Sequence, residues 1–266
     1  MNCSYPKFAC ALLCSIFTTC SQAALISYQL LTPDNYTQVN YTNPFKQAFS
    51  SAEDGFQIYQ RQRTSTIPQA LIDDTMTKSA DRLGVIKSTN NHDFFGIVDT
   101  INQDNPSGAV NAYWQLDIST LSSLALVMDI AAMGDFESSD YFLWRYRIDN
   151  GGYTVLFQGQ SDEDGVAQYQ LEDNSWQILN DPMTVNSKAL NNVFQTFSTD
   201  ILATGNQMTL ELIASSNGGS EAVAFQKIAI QGQAKSVAVN EPKTYFLLLL
   251  AVIWLCVMRS KNIALK

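Results

Sequence analysis

The sequence predicts an all-β protein, an antiparallel β-sandwich occupying residues 24–232. Three observations predict it. Short apolar stretches alternate with Asn-, Asp- and Gly-rich breaks, several stretches alternate apolar and polar residues with a period of two, and no helical pattern of comparable length competes with them. The strands expected on this basis cover residues 25–31, 94–100, 110–118, 123–131, 141–148, 153–158, 207–214 and 221–231. Signals in residues 66–82 are weaker and suit a helical turn.

Side-chain period assigns the faces. In residues 141–148, Phe142, Trp144, Tyr146 and Ile148 point to one side, whereas Tyr141, Leu143, Arg145 and Arg147 point to the other. Leu124, Leu126, Met128 and Ile130 form a second core face, and Met208, Leu210, Leu212 and Ala214 a third. Such strands read as half-buried and antiparallel. Between two of the strongest, Asp149, Asn150, Gly151 and Gly152 supply the residues that tolerate the positive φ of a tight hairpin. The last strand changes phase at Gln226 and Lys227, where the apolar set passes from Val223 and Phe225 to Ile228 and Ile230, and this predicts a bulge.

Composition narrows the function. The chain has 266 residues, 46% of them hydrophobic and only 15% charged, a balance suited to a secreted β protein with an ample core. Residues 24–239 hold 11 Lys/Arg against 24 Asp/Glu, a net charge of −13. Nucleic-acid affinity is built largely from cations neutralising phosphates, so nucleic acid is not an expected partner. All five cysteines, Cys3, Cys10, Cys14, Cys20 and Cys256, lie near the ends. The sandwich therefore has no disulfide, no cysteine nucleophile and no Cys-based zinc site.

The ends read as addresses. Residues 1–23 combine Lys7, an apolar run over residues 8–17 and the small-residue exit Ser21, Gln22 and Ala23, the three parts of a secretory signal; cleavage is expected between Ala23 and Ala24. At the other end comes VNEPKTYFLLLLAVIWLCVMRSKNIALK: a linker at 233–243 containing Asn240, Glu241 and Pro242, an apolar helix at 244–258, and a basic tail at 259–266 with Arg259 and Lys261. Its uninterrupted apolar run, residues 245–258, makes roughly 21 Å of helix at about 1.5 Å per residue, short of the roughly 30 Å hydrocarbon core.

This C-terminal pattern resembles the PEP-CTERM sorting signal, in which a Pro-Glu-Pro motif precedes a short apolar helix and a basic cluster. Here Asn240 stands in the place of the first proline. The resemblance implies recognition by an exosortase in the inner membrane after signal peptidase has acted, then delivery to the cell surface or extracellular matrix of a bacterium that makes exopolysaccharide. The alternative is a permanent single-pass anchor with its basic residues in the cytoplasm. Separately, MDIAAMGDFESSDYFLWRYRIDNGGYTVLF and MTLELIASSNGGSEAVAFQKIAIQG resemble the jelly-roll or concanavalin-like domains of large secreted bacterial proteins. That likeness implies a jelly-roll-like fold, flanked here by an N-terminal signal helix and a C-terminal hydrophobic helix, more than it implies a function.

No catalytic constellation is recognisable. His92, the only histidine, sits in Asn90-Asn91-His92-Asp93 ahead of a strand and reads as a turn residue. The E-x-D-x-x-E strand of laminarinase-type jelly rolls is absent, as is G-x-S-x-G. Asp162, Glu163, Asp164 and Gly165 faintly resemble an EF-hand loop, but Gln160 and Leu171 occupy its first and twelfth ligand places. Asp135, Glu137 and Asp140 share one acidic loop and Glu221 follows the Asn217-Gly218-Gly219 turn, making these four the candidates for a structural calcium. Tyr141, Arg145 and Arg147 share a sheet face and are the candidates for binding sugar through ring stacking and planar hydrogen bonding. The expected function is a non-catalytic cell-surface or matrix protein with a polysaccharide-binding or adhesive role. Its rivals are an extracellular hydrolase with an unfamiliar acidic site, and a membrane-anchored assembly subunit.

Overall fold

The computed structural model describes residues 24–32, 39–61, 64, 66–106 and 108–235. The expected signal peptide, the NEP motif at Asn240, Glu241 and Pro242, and the apolar and basic tail with Arg259 and Lys261 lie outside them. Among the described residues no helix is long and apolar enough to cross a membrane.

Fifteen strands are described: β1 (Leu25–Gln29), β2 (Val39–Thr42), β3 (Gly55–Tyr59), β4 (Phe94–Val98), β5 (Val110–Asp117), β6 (Leu121–Met133), β7 (Tyr141–Ile148), β8 (Thr154–Ser161), β9 (Val166–Gln170), β10 (Trp176–Asn180), β11 (Met183–Val185), β12 (Lys188–Ala189), β13 (Gln195–Ile201), β14 (Gln207–Ser215) and β15 (Ala222–Ala234). One sheet runs β13-β6-β15-β4-β3, with β1 also on β15, and a second runs β12-β11-β8-β7-β14-β5-β2. All pairings between these strands are antiparallel. The two sheets enclose the main core, so the fold is an antiparallel β-sandwich.

Aromatic side chains stitch the layers together. Trp114 on β5 stacks on Trp144 on β7 at 5.3 Å between ring centroids, and each meets a ring of the opposite sheet edge-on: Phe95 on β4 lies 5.9 Å from Trp114, and Phe225 on β15 lies 5.4 Å from Trp144. These rings are fully buried, and the Trp114 indole N–H donates to the Leu30 carbonyl at 3.0 Å. Without disulfides this seam is a principal hold between the sheets.

The expected faces are observed. Phe142, Trp144 and Tyr146 are buried, as are Leu124, Leu126, Met128 and Ile130 on β6 and Met208, Leu210, Leu212 and Ala214 on β14. The Asp149-to-Gly152 turn joins β7 and β8 antiparallel, with Asp149 at φ 49°. At the expected bulge the register of β15 against β6 shifts after Gln226, and Lys227 adopts φ 48°. The bulge carries the Lys227 ammonium to the buried Asp129 carboxylate at 2.6 Å, and Thr196 donates to the same carboxylate at 2.6 Å. A charge inside the sheet is thereby matched from two strands.

Two expectations need correction. The C-terminal part of β6 and most of β15 are buried on both faces rather than half-buried. A second cluster explains it: Ala167, Tyr169 and Leu171 from the β9–β10 segment, together with Leu71, Val85 and Ile86 from the preceding loop, cover Ala131, Met133, Ala222 and Ala224. The strands β2, β3 and β9 to β13 were not expected from the sequence, because all but β13 have five residues or fewer and Gln, Asn or Thr interrupts the apolar residues of all but β12. The weak segment at 66–82 holds a single 3-10 turn, Gln69–Leu71, and the final strand runs three residues past its expected end at 231.

Truncating the seam tests its weight. Phe225→Ala removes a ring that contacts both Phe142 and Trp144, and a cost of about 3–5 kcal/mol is expected in urea unfolding followed by circular dichroism. A loss below about 1 kcal/mol would mean that the two sheets are held elsewhere.

Candidate functional site

The end of the sandwich where β6 leaves one sheet and β7 enters the other is built from polar groups. Met133 closes β6 opposite Ala222 of β15, and Tyr141 opens β7 opposite Ser215 of β14. Asp140 therefore directly precedes one strand and Glu221 the other, and the loop between β6 and β7 swings Glu137 over both. One carboxylate oxygen from each of Glu137, Asp140 and Glu221 lies within 4.8 Å of the others. Asp140 and Glu221 are buried while Glu137 is exposed.

Hydrogen bonds fix this joint from several elements. The Glu137 N–H donates to Asp140 Oδ2 at 2.8 Å, and the Asp140 N–H returns a bond to the Glu137 carbonyl at 2.8 Å. The Asn217 N–H donates to Asp140 Oδ1 at 3.2 Å, and Ser216 Oγ donates to Glu221 Oε2 at 3.2 Å. The Ser216 N–H reaches Thr100 Oγ1, just past β4, at 3.0 Å. Strand ends from both sheets thus converge here. Two glycines make room for it: a Cβ at Gly218 would collide with the Glu221 carboxylate, and one at Gly134 would press on its Cα.

No ion pair among the described residues involves any of the three acids. Burial, followed by the neighbouring Asp140, pushes the Glu221 carboxyl up to about 9. Burial and Glu137 push Asp140 up to about 6, while a hydrogen bond with Asp140 holds Glu137 below its ordinary value. Such a cluster has two ways to relieve its own repulsion: it keeps a proton on Glu221, or it binds a hard cation through oxygen ligands.

Of the four acids singled out in the sequence, three come together and Asp135 does not. Asp135 instead faces Asp181, on the far side of the loop, where it helps raise the carboxyl of that residue. None of the described cavities is lined by the triad.

The sugar-face candidates sit on the outer side of the seven-stranded sheet. Arg145 lies over the Tyr153 ring at 4.1 Å from its centroid, and Arg147 lies 5.2 Å away. Arg145 Nε is also paired with Glu211 Oε2 at 2.8 Å, and Asn111 donates to the other Glu211 oxygen at 3.0 Å. Tyr141 shares the face but pairs in register with Ser215 and Gln160, four residues from Arg145 and about 13 Å along the strand. Its expected place beside the guanidiniums is taken by Tyr153, 40% exposed. Tyr153, Glu211 and Asn111 were not legible as site residues in the sequence; an acid in the apolar run MTLELIAS was the one available signal. His92 lies in an exposed bend where its N–H donates to Asn90 Oδ1, a turn residue as expected.

No family model matches this chain, and no curated protein does. Among solved structures it is similar to the crystal structure of the enzymatically active domain of bacteriophage CBA120 tailspike protein 4, with 10% identity and a TM-score of 0.28. The match covers 80% of this chain and 19% of that one, so the chain spans about a fifth of the tailspike domain. At that distance the likeness brings no activity, substrate or assembly across.

The triad makes stability depend on pH in a defined direction. Ordinary values are 4.5 for Glu221 and 3.8 for Asp140, against about 9 and about 6 in the fold. Between these limits the folded state holds more protons than the unfolded state, so without divalent cations stability falls as pH rises from about 4 to about 9. Melting temperatures of the chain in EDTA, compared with Glu221→Gln across that range, measure the effect. The variant is expected to flatten the decline, and identical pH profiles would contradict the assignment.

Proposed function

We propose that this chain is an exported, non-catalytic surface or matrix protein whose sandwich is a jelly-roll-like module that associates with polysaccharide. The single observation that carries the reading is the platform on the outer sheet face. Glu211 pairs with Arg145, which sits over the Tyr153 ring with Arg147 close by, bringing an aromatic ring and two planar guanidiniums together at the surface. Sugars are held by that combination of ring stacking and planar hydrogen-bond donors. The jelly-roll reading is supported by β14 and β15, which insert between earlier strands of the two sheets, β14 between β5 and β7 and β15 between β6 and β4.

A structural divalent cation at Glu137, Asp140 and Glu221 belongs to the same proposal. Calcium takes oxygen ligands in flexible geometry, and three carboxylates this close gain more from it than from a shared proton at neutral pH. Its task would be to hold the joint between the sheets closed. The hydrolase reading draws on one observation, a buried carboxyl that keeps its proton and so has the character of a general acid. A substrate screen with Glu221→Gln as control decides it: hydrolysis by the parent chain and none by the variant would replace the proposal.

Export and sorting rest on the terminal patterns. Mass spectrometry of the cell-surface protein is expected to find an N-terminus at Ala24 and truncation near Pro242, whereas an intact Lys266 would make the chain a permanent membrane anchor. Retention on exopolysaccharide is expected to fall roughly tenfold in Arg145→Ala, the size of a lost stacked and hydrogen-bonded contact of about 1–2 kcal/mol. No retention of the parent chain would remove the polysaccharide role.

A further inference from the structure

The β9–β10 hairpin belongs to neither large sheet. Its inner face, Ala167, Tyr169 and Leu179, packs into the second core cluster against the outside of β6 and β15. Its outer face is formed by Val166, Gln168, Gln170, Trp176, Ile178 and Asn180, all exposed. On β10 the usual polarity is inverted: Trp176 and Ile178 are 58% and 63% exposed, while Gln177 between them is half-buried. Leaving an indole in water forgoes a large burial gain, so an occupant for this face is indicated.

The arrangement specifies that occupant. Register sets Trp176 opposite Gln170, Ile178 opposite Gln168 and Asn180 opposite Val166, so every apolar residue on the face has an amide beside it. The face itself carries no charge. Both of its ends are acidic, with Glu172 and Asp173 in the turn and Asp162, Glu163, Asp164 and Asp181 at the other end. Acidic rims disfavour an anionic polymer or an anionic membrane surface. An indole offers a flat apolar surface for the C–H side of a pyranose ring, and each amide both donates to and accepts from sugar hydroxyls. Four strand steps at about 3.4 Å make the platform about 14 Å long, enough for more than one ring of an extended chain.

The platform is also rigid. The Glu172 N–H donates to the buried Asp73 carboxylate at 2.7 Å, the Asp173 N–H to Thr75 Oγ1 at 3.1 Å, and Asn192 Nδ2 to the Gln170 carbonyl at 3.0 Å. Both the turn and the β9 edge are thereby tied to the body of the sandwich, so little ordering is left to oppose binding.

We propose that the outer face of the β9–β10 hairpin binds a neutral polysaccharide, Trp176 stacking on a sugar ring while Gln168 and Gln170 bond its hydroxyls. This site is separate from the Arg145 platform and rests on the reading that the chain associates with polysaccharide.

Affinity electrophoresis of the full-length chain in mild detergent tests it, with a soluble β-glucan and a galactomannan as neutral probes and alginate as the anionic one. The neutral polymers are expected to retard the chain, alginate is not, and Trp176→Ala is expected to weaken the retardation roughly tenfold while Trp176→Phe keeps part of it. Trp176 is exposed, so the alanine variant should fold, and an unchanged circular dichroism spectrum checks that. Retardation by a neutral polymer that survives Trp176→Ala but is lost in Arg145→Ala would overturn this site and leave the general reading standing. Failure of every polymer to retard the parent chain would overturn both. A change of mass in light scattering on Trp176→Ala, with polysaccharide binding intact, would make the face a contact between copies and also overturn the site.

Discussion

The constraint on which one end of this sandwich depends is the crowding of Glu137, Asp140 and Glu221 where the two sheets converge. Asp140 holds Asn217 and the start of β7, Glu221 precedes β15, and Ser216 between them reaches Thr100 beyond β4. These are the places where the chain crosses from one sheet to the other. Burying two carboxylates at such a crossing is unfavourable unless a proton or a cation neutralises them. The glycines at 134 and 218 show how tightly the joint is drawn, since no larger residue fits without moving Glu221. Away from this end the aromatic seam of Trp114, Trp144, Phe95 and Phe225 holds the layers by burial alone, in a sandwich without cysteine.

Surface chemistry follows from the same layering. Because β9 and β10 fold back over the outside of β6 and β15, the middle of the six-stranded sheet is covered on both faces, while β1 and β13 keep an exposed side, and the hairpin becomes an outer layer of its own. The seven-stranded sheet keeps an open face, where Arg145, Arg147 and Tyr153 lie. Two different platforms result, one rich in guanidinium groups and one uncharged. They sit on rigid strands rather than on loops, which suits recognition of a polymer with a repeating surface.

How much of this the sequence revealed depended on whether local pattern and tertiary burial agreed. Along β7, the buried Phe142, Trp144 and Tyr146 alternate with the half-buried Tyr141, Leu143, Arg145 and Arg147, and the strand was legible to its last residue. The bulge at Lys227 was legible because the apolar set changes phase there. The β10 segment was not: Ile178 and Leu179 are adjacent apolar residues and the more polar Gln177 faces inward, so no period-two signal survives. For the acidic site, Glu137 and Asp140 were identified by their shared acidic loop and Glu221 by the turn it follows, although 81 positions separate Asp140 from Glu221. Asp135 was grouped with them by loop membership alone, and its side chain turns to Asp181 instead. The Arg145–Glu211 pair required strand register, which composition does not contain.

Negative charge at the joint must be neutralised for the sheets to meet, and a divalent cation is the neutralising group we propose. A crystal structure of the chain grown in millimolar calcium near neutral pH, with anomalous data, examines it most directly. The result expected is one ion bound by oxygens of Glu137, Asp140 and Glu221 at about 2.3–2.6 Å. Carboxyl groups in direct hydrogen-bonded contact under those conditions, with no ion between them, would contradict it.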